Sequence, residues 1–296
     1  MLKNVTILLI GVLLMYLNCG EQTINLEKLQ FNIQKLISKS SGTISVAFED
    51  LKTGRKLFIN EKIQMHAAST MKTPVMIEIF KQAYEGKFNL TDSLIINNEF
   101  SSIVDGSKFS MNFMEDSDDF VYKNIGKKIS IYDLVYQMIT VSSNFATNIL
   151  VDLVGAKNVM KLMKSIGANN IKVLRGVEDM KAYNQGLNNT TDAYDMLLIM
   201  KAIANKKIVS TKACEKMIKI LLDQKYKSKI PALLPSTVKV AHKSGSITAI
   251  DHDAAIVYLK PNHAYILVVL TKGIESHKQA QKIIAHISKM IYDAVS

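Results

Sequence analysis

Cysteine occurs only twice in this 296-residue chain, at Cys19 and Cys214. That excludes a disulfide framework as the source of stability. Cys214 stands among apolar positions of an expected helix and reads as a plain buried thiol. The six histidines are scattered, and no Cys-x-x-Cys, His-x-His or His-Glu-x-x-His spacing is present, so neither a metal nor another cofactor is expected. Proline and glycine are sparse, at four and thirteen, and no internal repeat is found; this argues against a disordered chain and against a solenoid. The lysines form no stripe interleaved with aromatics. The net charge of +11 therefore reads as a solvated, lysine-rich surface, or as attraction to anionic lipid or wall polymer, and not as a nucleic-acid interface. Against these absences stands an apolar content of 48%, enough for a sizeable core in one large domain or two closely packed ones.

The N-terminus carries an address. Lys3 precedes an apolar run from Val5 to Leu17, the form of an export signal and too short for a comfortable membrane span. Tyr16-Leu-Asn-Cys19-Gly20 then places a cysteine directly after that run. This resembles a bacterial lipoprotein processing site, with Tyr16 where that motif usually has leucine. The expectation is a signal peptide over 1–18 and a mature chain lipidated at Cys19, exported to the periplasm or cell envelope. Contact with the membrane is then through that anchor alone. Plain secretion and an uncleaved anchor are the alternatives.

Residues 21–40 show helical spacing at Leu26, Leu29, Ile33, Leu36 and Ile37. Thr43–Asp50 alternates with period two, and Lys56–Asn60 reads as its returning strand after a turn at Asp50–Gly54. From there to about residue 225 the signals are mainly helical. The stretch from Ile96 to Ile129 is polar and irregular, and its acidic patch Glu115-Asp-Ser-Asp-Asp119 reads as a solvated loop or a substrate-facing rim. Ser130 with Asp133 resembles a helix N-cap with an acidic partner. Helices are expected over Phe145–Val154 and Ala156–Ile166, from Thr190/Thr191 to Ala204, and from a Ser210 cap to Leu222. Strands return at Thr237–Ala241, Ala254–Leu259 and Ala264–Thr271, with a turn at Pro261-Asn262 and a terminal helix from Lys278. The fold class is α/β (α+β): an antiparallel sheet built from both chain ends, 19–66 and 226–296, flanked by helices. An all-helical lobe, 67–225, is inserted between them, and the site is expected in the cleft between the lobes.

Ser69-Thr-Met-Lys72 opens one of these helices. Free N–H groups at a helix start and an amine one turn from a hydroxyl are the parts of an activated nucleophile and an oxyanion site. The spacing is weak alone, because Ser236-Thr-Val-Lys239 repeats it. Two further polar clusters select the first copy. Ser142-Ser143-Asn144 falls at a helix junction, and Lys243-Ser244-Gly245-Ser246 at the end of a strand.

Ser-x-x-Lys, Ser-x-Asn and Lys-Ser-Gly in this order resemble the class A β-lactamase family and its serine-peptidase relatives. The likeness extends to the words around the motifs: Ala-Ala-Ser-Thr-Met-Lys-Thr-Pro-Val-Met, Met-Ile-Thr-Val-Ser-Ser-Asn-Phe-Ala-Thr-Asn and Val-Ala-His-Lys-Ser-Gly-Ser-Ile. It implies a β-lactamase/transpeptidase-like fold and a monomeric hydrolase that opens penicillin- and cephalosporin-type lactams. It also implies roles. Ser69 becomes acylated, Lys72 helps take its proton, directly or through a water, and Ser142 relays a proton to the leaving nitrogen. Asn144 holds the substrate amide, Lys243 and Ser244 bind the substrate carboxylate, and the N–H groups of Ser69 and Ser246, the latter beside Gly245, form the oxyanion hole. Two cations in one cleft are expected to push Lys72 towards its neutral amine.

Two departures stand out. Ser143 occupies the place where the family commonly has aspartate. The family's Glu-x-x-Leu-Asn loop is also altered: Arg175 and Glu178 have one extra residue between them, and Leu187-Asn188 come late. Glu178 is the candidate deacylating base; the alternative is that it pairs with Arg175 and only staples the loop. The alternatives in function are a D-alanyl-D-alanine peptidase-like wall hydrolase acting on peptidoglycan stem peptides, and a penicillin-binding sensor that stays acylated. Ile247, Thr248, Ala249 and Ile250, with the loop near Ser101–Ser110, are expected to set specificity. His252-Asp253 is read either as a structural pair or as reaching the cleft.

Overall fold

The computed structural model describes residues 25–261 and 263–296. The signal segment, Cys19 and Asn262 of the expected turn lie outside the described residues. Helix α1 (Leu26–Ile37) precedes strands β1 (Thr43–Asp50) and β2 (Lys56–Ile59). A short strand β3 (Met65–His66) and a 3-10 turn, Ala68–Met71, lead into α2 (Lys72–Tyr84). The short strands β4 (Ser93–Ile95), β5 (Phe100–Ser101), β6 (Lys108–Phe109) and β7 (Lys128–Ser130) pair as β4 with β7 and β5 with β6. Helices α3 (Ile131–Thr140), α4 (Asn144–Val154), α5 (Ala156–Ser165) and α6 (Met180–Asn184) follow. Then come β8 (Thr190–Thr191), α7 (Ala193–Ala204), α8 (Thr211–Leu222), β9 (Lys239–Ile247), β10 (Ile250–Lys260), β11 (His263–Lys272) and α9 (His277–Val295).

The main sheet has the order β2-β1-β11-β10-β9, all antiparallel. The β1–β11 pairing joins the two chain ends, as expected from the late return of strand periodicity. Alternation in β1 separates two cores and not a core from solvent. Ile44, Val46 and Phe48 face Leu29, Ile33, Leu267 and Ile284 under α1 and α9. Ala47 on the opposite face joins Val75, Met200, Ile256 and Val268 under α7 and the inserted helices. Both faces are covered, so the polar positions of β1 must find partners inside. Ser45 Oγ donates to the Asn60 carbonyl at 2.7 Å, and Glu49 accepts from Lys201 Nζ of α7 at 2.6 Å.

Ser130 and Ser210 cap α3 and α8 as their spacing predicts. Thr190 and Thr191 do not open a helix. They pair with β3, and Asp192 caps α7 by accepting from the Asp195 N–H at 2.7 Å. Strand β9 also runs six residues past the expected end at Ala241, because it pairs with β10 through Ile247. The Lys243-Ser-Gly-Ser cluster therefore lies within an edge strand whose outer side faces the helical region.

Candidate active site

Ser69 sits in the 3-10 turn ahead of α2, and Met71 holds the N-cap position of that helix. The Ser69 hydroxyl is therefore not spent as the helix cap. Ala68 before it has φ +45°, a left-handed conformation that a residue with a Cβ rarely adopts. The turn is pressed against β9 at Gly245, where a Cβ would fall 2.8 Å from the Ser69 nitrogen and 3.1 Å from that of Thr70. Only glycine lets the third motif approach the first so closely.

Lys72 is fully buried. Its amine donates to the Ser142 carbonyl at 2.6 Å and to Asn144 Oδ1 at 2.8 Å, with Ser142 Oγ at 3.3 Å. Burial lowers its pKa to about 7, against the pull of Asp116 and Glu178. The expected direction holds, but its main cause at Lys72 is desolvation. Like-charge repulsion bears on Lys243, where Lys72 and Lys229 add to burial and hold the amine well below its ordinary value. A neutral Lys72 has two N–H groups for Ser142 O and Asn144 Oδ1 and keeps one lone pair.

Ser142, with φ +62°, is a further left-handed residue. Lys243 Nζ donates to its hydroxyl at 3.0 Å, so the Ser142 oxygen lies between the two buried amines. Ser143 caps α4 by accepting from the Ala146 N–H at 3.1 Å. Asn144 Nδ2 donates to Glu178 Oε1 at 2.8 Å. Lys243, Ser142, Lys72, Asn144 and Glu178 thus form one continuous hydrogen-bonded path across the site.

Glu178 is half-buried, also left-handed (φ +61°), on the loop before α6. Burial raises its pKa, and nearby Asp116 and Glu115 add to the rise against the Asn144 bond. Arg175 does not staple it. The guanidinium donates to the carbonyls of Leu187 at 3.0 Å and Gly176 at 3.1 Å, so the late Leu187-Asn188 pair closes the loop from its far end. Asn148 of α4 fixes the residue before Glu178: its Oδ1 accepts from the Val177 N–H at 2.6 Å, and its Nδ2 donates to the Val177 carbonyl at 3.0 Å. A Cβ at Gly176 would fall 2.1 Å from that Asn148 oxygen. Asp179 ties the loop outward, accepting from Ser102 Oγ and the Ile103 N–H at 2.9 Å each.

On the sheet side, Ser244 is buried, and its carbonyl accepts from Lys243 Nζ at 2.7 Å. Ser246 is exposed at the cleft. Its hydroxyl accepts from Lys229 Nζ and donates to Asp251 Oδ1, both at 2.8 Å. Lys229, a third buried amine, also donates to the Gly245 carbonyl at 2.8 Å and pairs with Asp251 at 3.0 Å. His252 and Asp253 are not partners. His252 Nε2 meets the His66 carbonyl at 2.9 Å, and burial lowers the His252 pKa to about 4. Asp253 pairs across the strands with His242 at 2.9 Å. Both residues are fully buried in the sheet.

Two cavities meet at Ser69, Asn144 and Ser246. One, of about 280 Å³, is lined by Ser142, Tyr226, Lys229 and Ser244. The other, of about 480 Å³, is lined by Glu178, Met180, Tyr183, Ile247 and Thr248. Among the described residues no cluster of three His, Cys, Asp or Glu side chains suits a metal. Sequence reasoning missed Lys229, Asn148 and Asp116. Only Asn148 left a signal: it lies four residues after Asn144, on the same face of an otherwise apolar helix.

A serine at the mouth of a cleft, with a buried amine and hydroxyl behind it, defines an active-site serine hydrolase on a β-lactamase/transpeptidase-like fold. The sequence model of the beta-lactamase enzyme family matches residues 28–295, and the chain belongs to that family. It is 25% identical to Beta-lactamase BRO-1 of Moraxella catarrhalis over 224 residues, 69% of this chain and 71% of that protein. It is 22% identical to a beta-lactamase of Bacteroides uniformis over 282 residues, covering 91% and 92% of the two. The fold is similar to a crystal structure of the beta-lactamase from Sphaerobacter thermophilus DSM 20745, with TM-score 0.79 at 21% identity, over 92% of this chain and 98% of that one. The family expected from the three motifs is thus borne out, and with it the hydrolase class.

Proposed function

We propose that the chain hydrolyses β-lactams through an acyl-enzyme on Ser69. The Ser69 oxygen attacks the lactam carbonyl carbon while its proton passes to the lone pair of Lys72. The N–H groups of Ser69 and Ser246 hold the oxyanion. The ring C–N bond breaks, and the nitrogen takes the Ser142 proton, which Lys72 replaces. Lys243 and Ser244 bind the substrate carboxylate, and Asn144 its side-chain amide. A water then loses its proton to Glu178 and attacks the ester carbonyl, and the ester C–O bond breaks as that proton returns to the Ser69 oxygen. The continuous path from Lys243 through Ser142, Lys72 and Asn144 to Glu178 carries this reading, because it gathers the groups of both half-reactions around the cleft that Ser69 lines.

Export fits this function. We read 1–18 as a removed signal peptide, Cys19 as a lipid anchor and the mature chain as a monomer. Among the described residues no helix is long and apolar enough to cross a membrane. Labelling cells with a palmitate analogue tests the anchor: incorporation that survives Cys19→Ala removes it. For the chemistry, residues 20–296 are mixed with nitrocefin and followed by absorbance and intact mass. Steady turnover with a transient adduct mapped to Ser69 is expected. A lasting stoichiometric adduct points to the sensor or peptidase, and an adduct on another residue overturns the mechanism.

A further inference from the structure

The acidic patch Glu115–Asp119 has the composition of a solvated loop, yet two of its residues grip the junction between α3 and α4. Both oxygens of Asp116 accept from the Asn144 N–H at 3.0 Å. Its Oδ2 also accepts from the Phe145 N–H at 2.8 Å. Ser117 donates its hydroxyl to the Val141 carbonyl at 2.6 Å. The loop therefore brackets Ser142 and Ser143 from both sides. The carboxylate meets α4 at its N-terminus, where unpaired N–H groups and the helix dipole favour a negative charge. The Ser143 hydroxyl serves a different donor, the Ala146 N–H, so Asp116 does work that no motif residue does.

What Asp116 holds is the backbone of Asn144, whose side chain joins Lys72 to Glu178. The same carboxylate raises the pKa of Lys72, on α2, and that of Glu178, on the facing loop. The other charged or titratable groups turned towards this centre are Lys243 of β9, Tyr122, and Glu115 and Asp118 of the patch itself.

We propose that Asp116 is a positioning residue for the reaction, a carboxylate delivered from outside the three motifs that holds Asn144 in place between Lys72 and Glu178. The proposal rests on acylation of Ser69. Burst kinetics with nitrocefin across pH, normalised to the Ser69 sites that a labelled penicillin titrates, test it in the wild type, Asp116→Ala and Asp116→Asn. The alanine is expected to acylate about 10–100-fold more slowly per site, the scale of a misplaced catalytic group. The asparagine keeps the size and one acceptor oxygen and should recover most of that rate. It should also move the acid limb of the profile down by roughly half a pH unit, the order expected for one charge near a solvent-edged site. The sign follows from the chemistry: without the anion, Lys72 and Glu178 both lose their protons at lower pH. A merely structural role would lower the number of titratable sites and leave that limb where it is. An unchanged rate per site in the alanine, or an unmoved limb in the asparagine, overturns the assignment. The wild type reports separately on the functional reading, since a failure of Ser69 acylation appears there first.

Discussion

The two sides of Ser69 are built by different means. The groups proposed for acylation, Lys72, Ser142 and Lys243, stand on α2, on the α3–α4 junction and in the middle of β9. Lys72 and Lys243 stand in backbone ladders and are both fully buried, and Ser142 lies in the short junction between two helices. Glu178, proposed for deacylation, rides on a loop whose only regular element is the five-residue α6. That loop is held by side-chain bonds from a few residues: Asn148 on Val177, Asp179 on Ser102 and Ile103, and Arg175 on Leu187 and Gly176. Each such bond contributes on the order of 1 kcal/mol. Apart from the hold of Asp116 on the α3–α4 junction, the first side is therefore hard to adjust without unfolding the site. The second can be loosened one bond at a time, and deacylation is the half-reaction open to change.

The largest test of this contrast is Glu178→Gln. The amide keeps the shape and can still face Asn144, but it cannot take a proton from water. Deacylation is expected to slow by about 10²–10⁴-fold, the usual contribution of a general base, while the nitrocefin burst stays within a few-fold of wild type. An acyl-enzyme that persists for minutes in the mass spectrum is the expected sign. A slower burst of equal degree would mean that Glu178 serves acylation too, and the two sides would merge.

A smaller effect is expected from Asn148→Ala. The change leaves the N–H and carbonyl of Val177 without their partner and opens space beside Gly176. Unpaired buried groups of this kind cost about 1–3 kcal/mol, so the melting temperature should fall by several degrees. Deacylation should slow by roughly an order of magnitude, with acylation per titratable site close to wild type. Parallel losses in both half-reactions would show that α4 transmits the disturbance to Asn144, and that the loop is not independently adjustable.

The same contrast explains what the sequence made legible. Ser69 with Lys72, Ser142 with Asn144, and Lys243 with Ser246 are short-range spacings on regular elements, so each could be read from the chain alone. The sheet was legible for a related reason, since period-two alternation survives even where both faces are buried, as in β1. Lys229, Asn148 and Asp116 were not, because their partners lie 16, 29 and 28 residues away and depend on how loops close. The Arg175–Glu178 question had the same character. Arg175 turns to Leu187 and away from Glu178 because the extra residue and the late Leu187-Asn188 close the loop differently, which no local pattern encodes.

The smallest expected effect belongs to the second Ser-x-x-Lys copy. Ser236 and Lys239 are exposed, and Lys239 is the first residue of β9. Both line a cavity of about 580 Å³ with Leu222, Pro231 and Val240, a larger space than either part of the cleft at Ser69. Neither size nor spacing makes it reactive. Among the described residues, none around it repeats the buried amine, the second hydroxyl or the backbone held in the left-handed region that surround Ser69. Ser236→Ala is therefore expected to leave nitrocefin turnover unchanged and to move stability by no more than about 0.5 kcal/mol, as for an ordinary surface substitution. Ser69→Ala in the same assay should remove turnover. A measurable loss in Ser236→Ala would place chemistry at the far end of β9, and would show that burial and helix-borne positioning are not what distinguish the two copies.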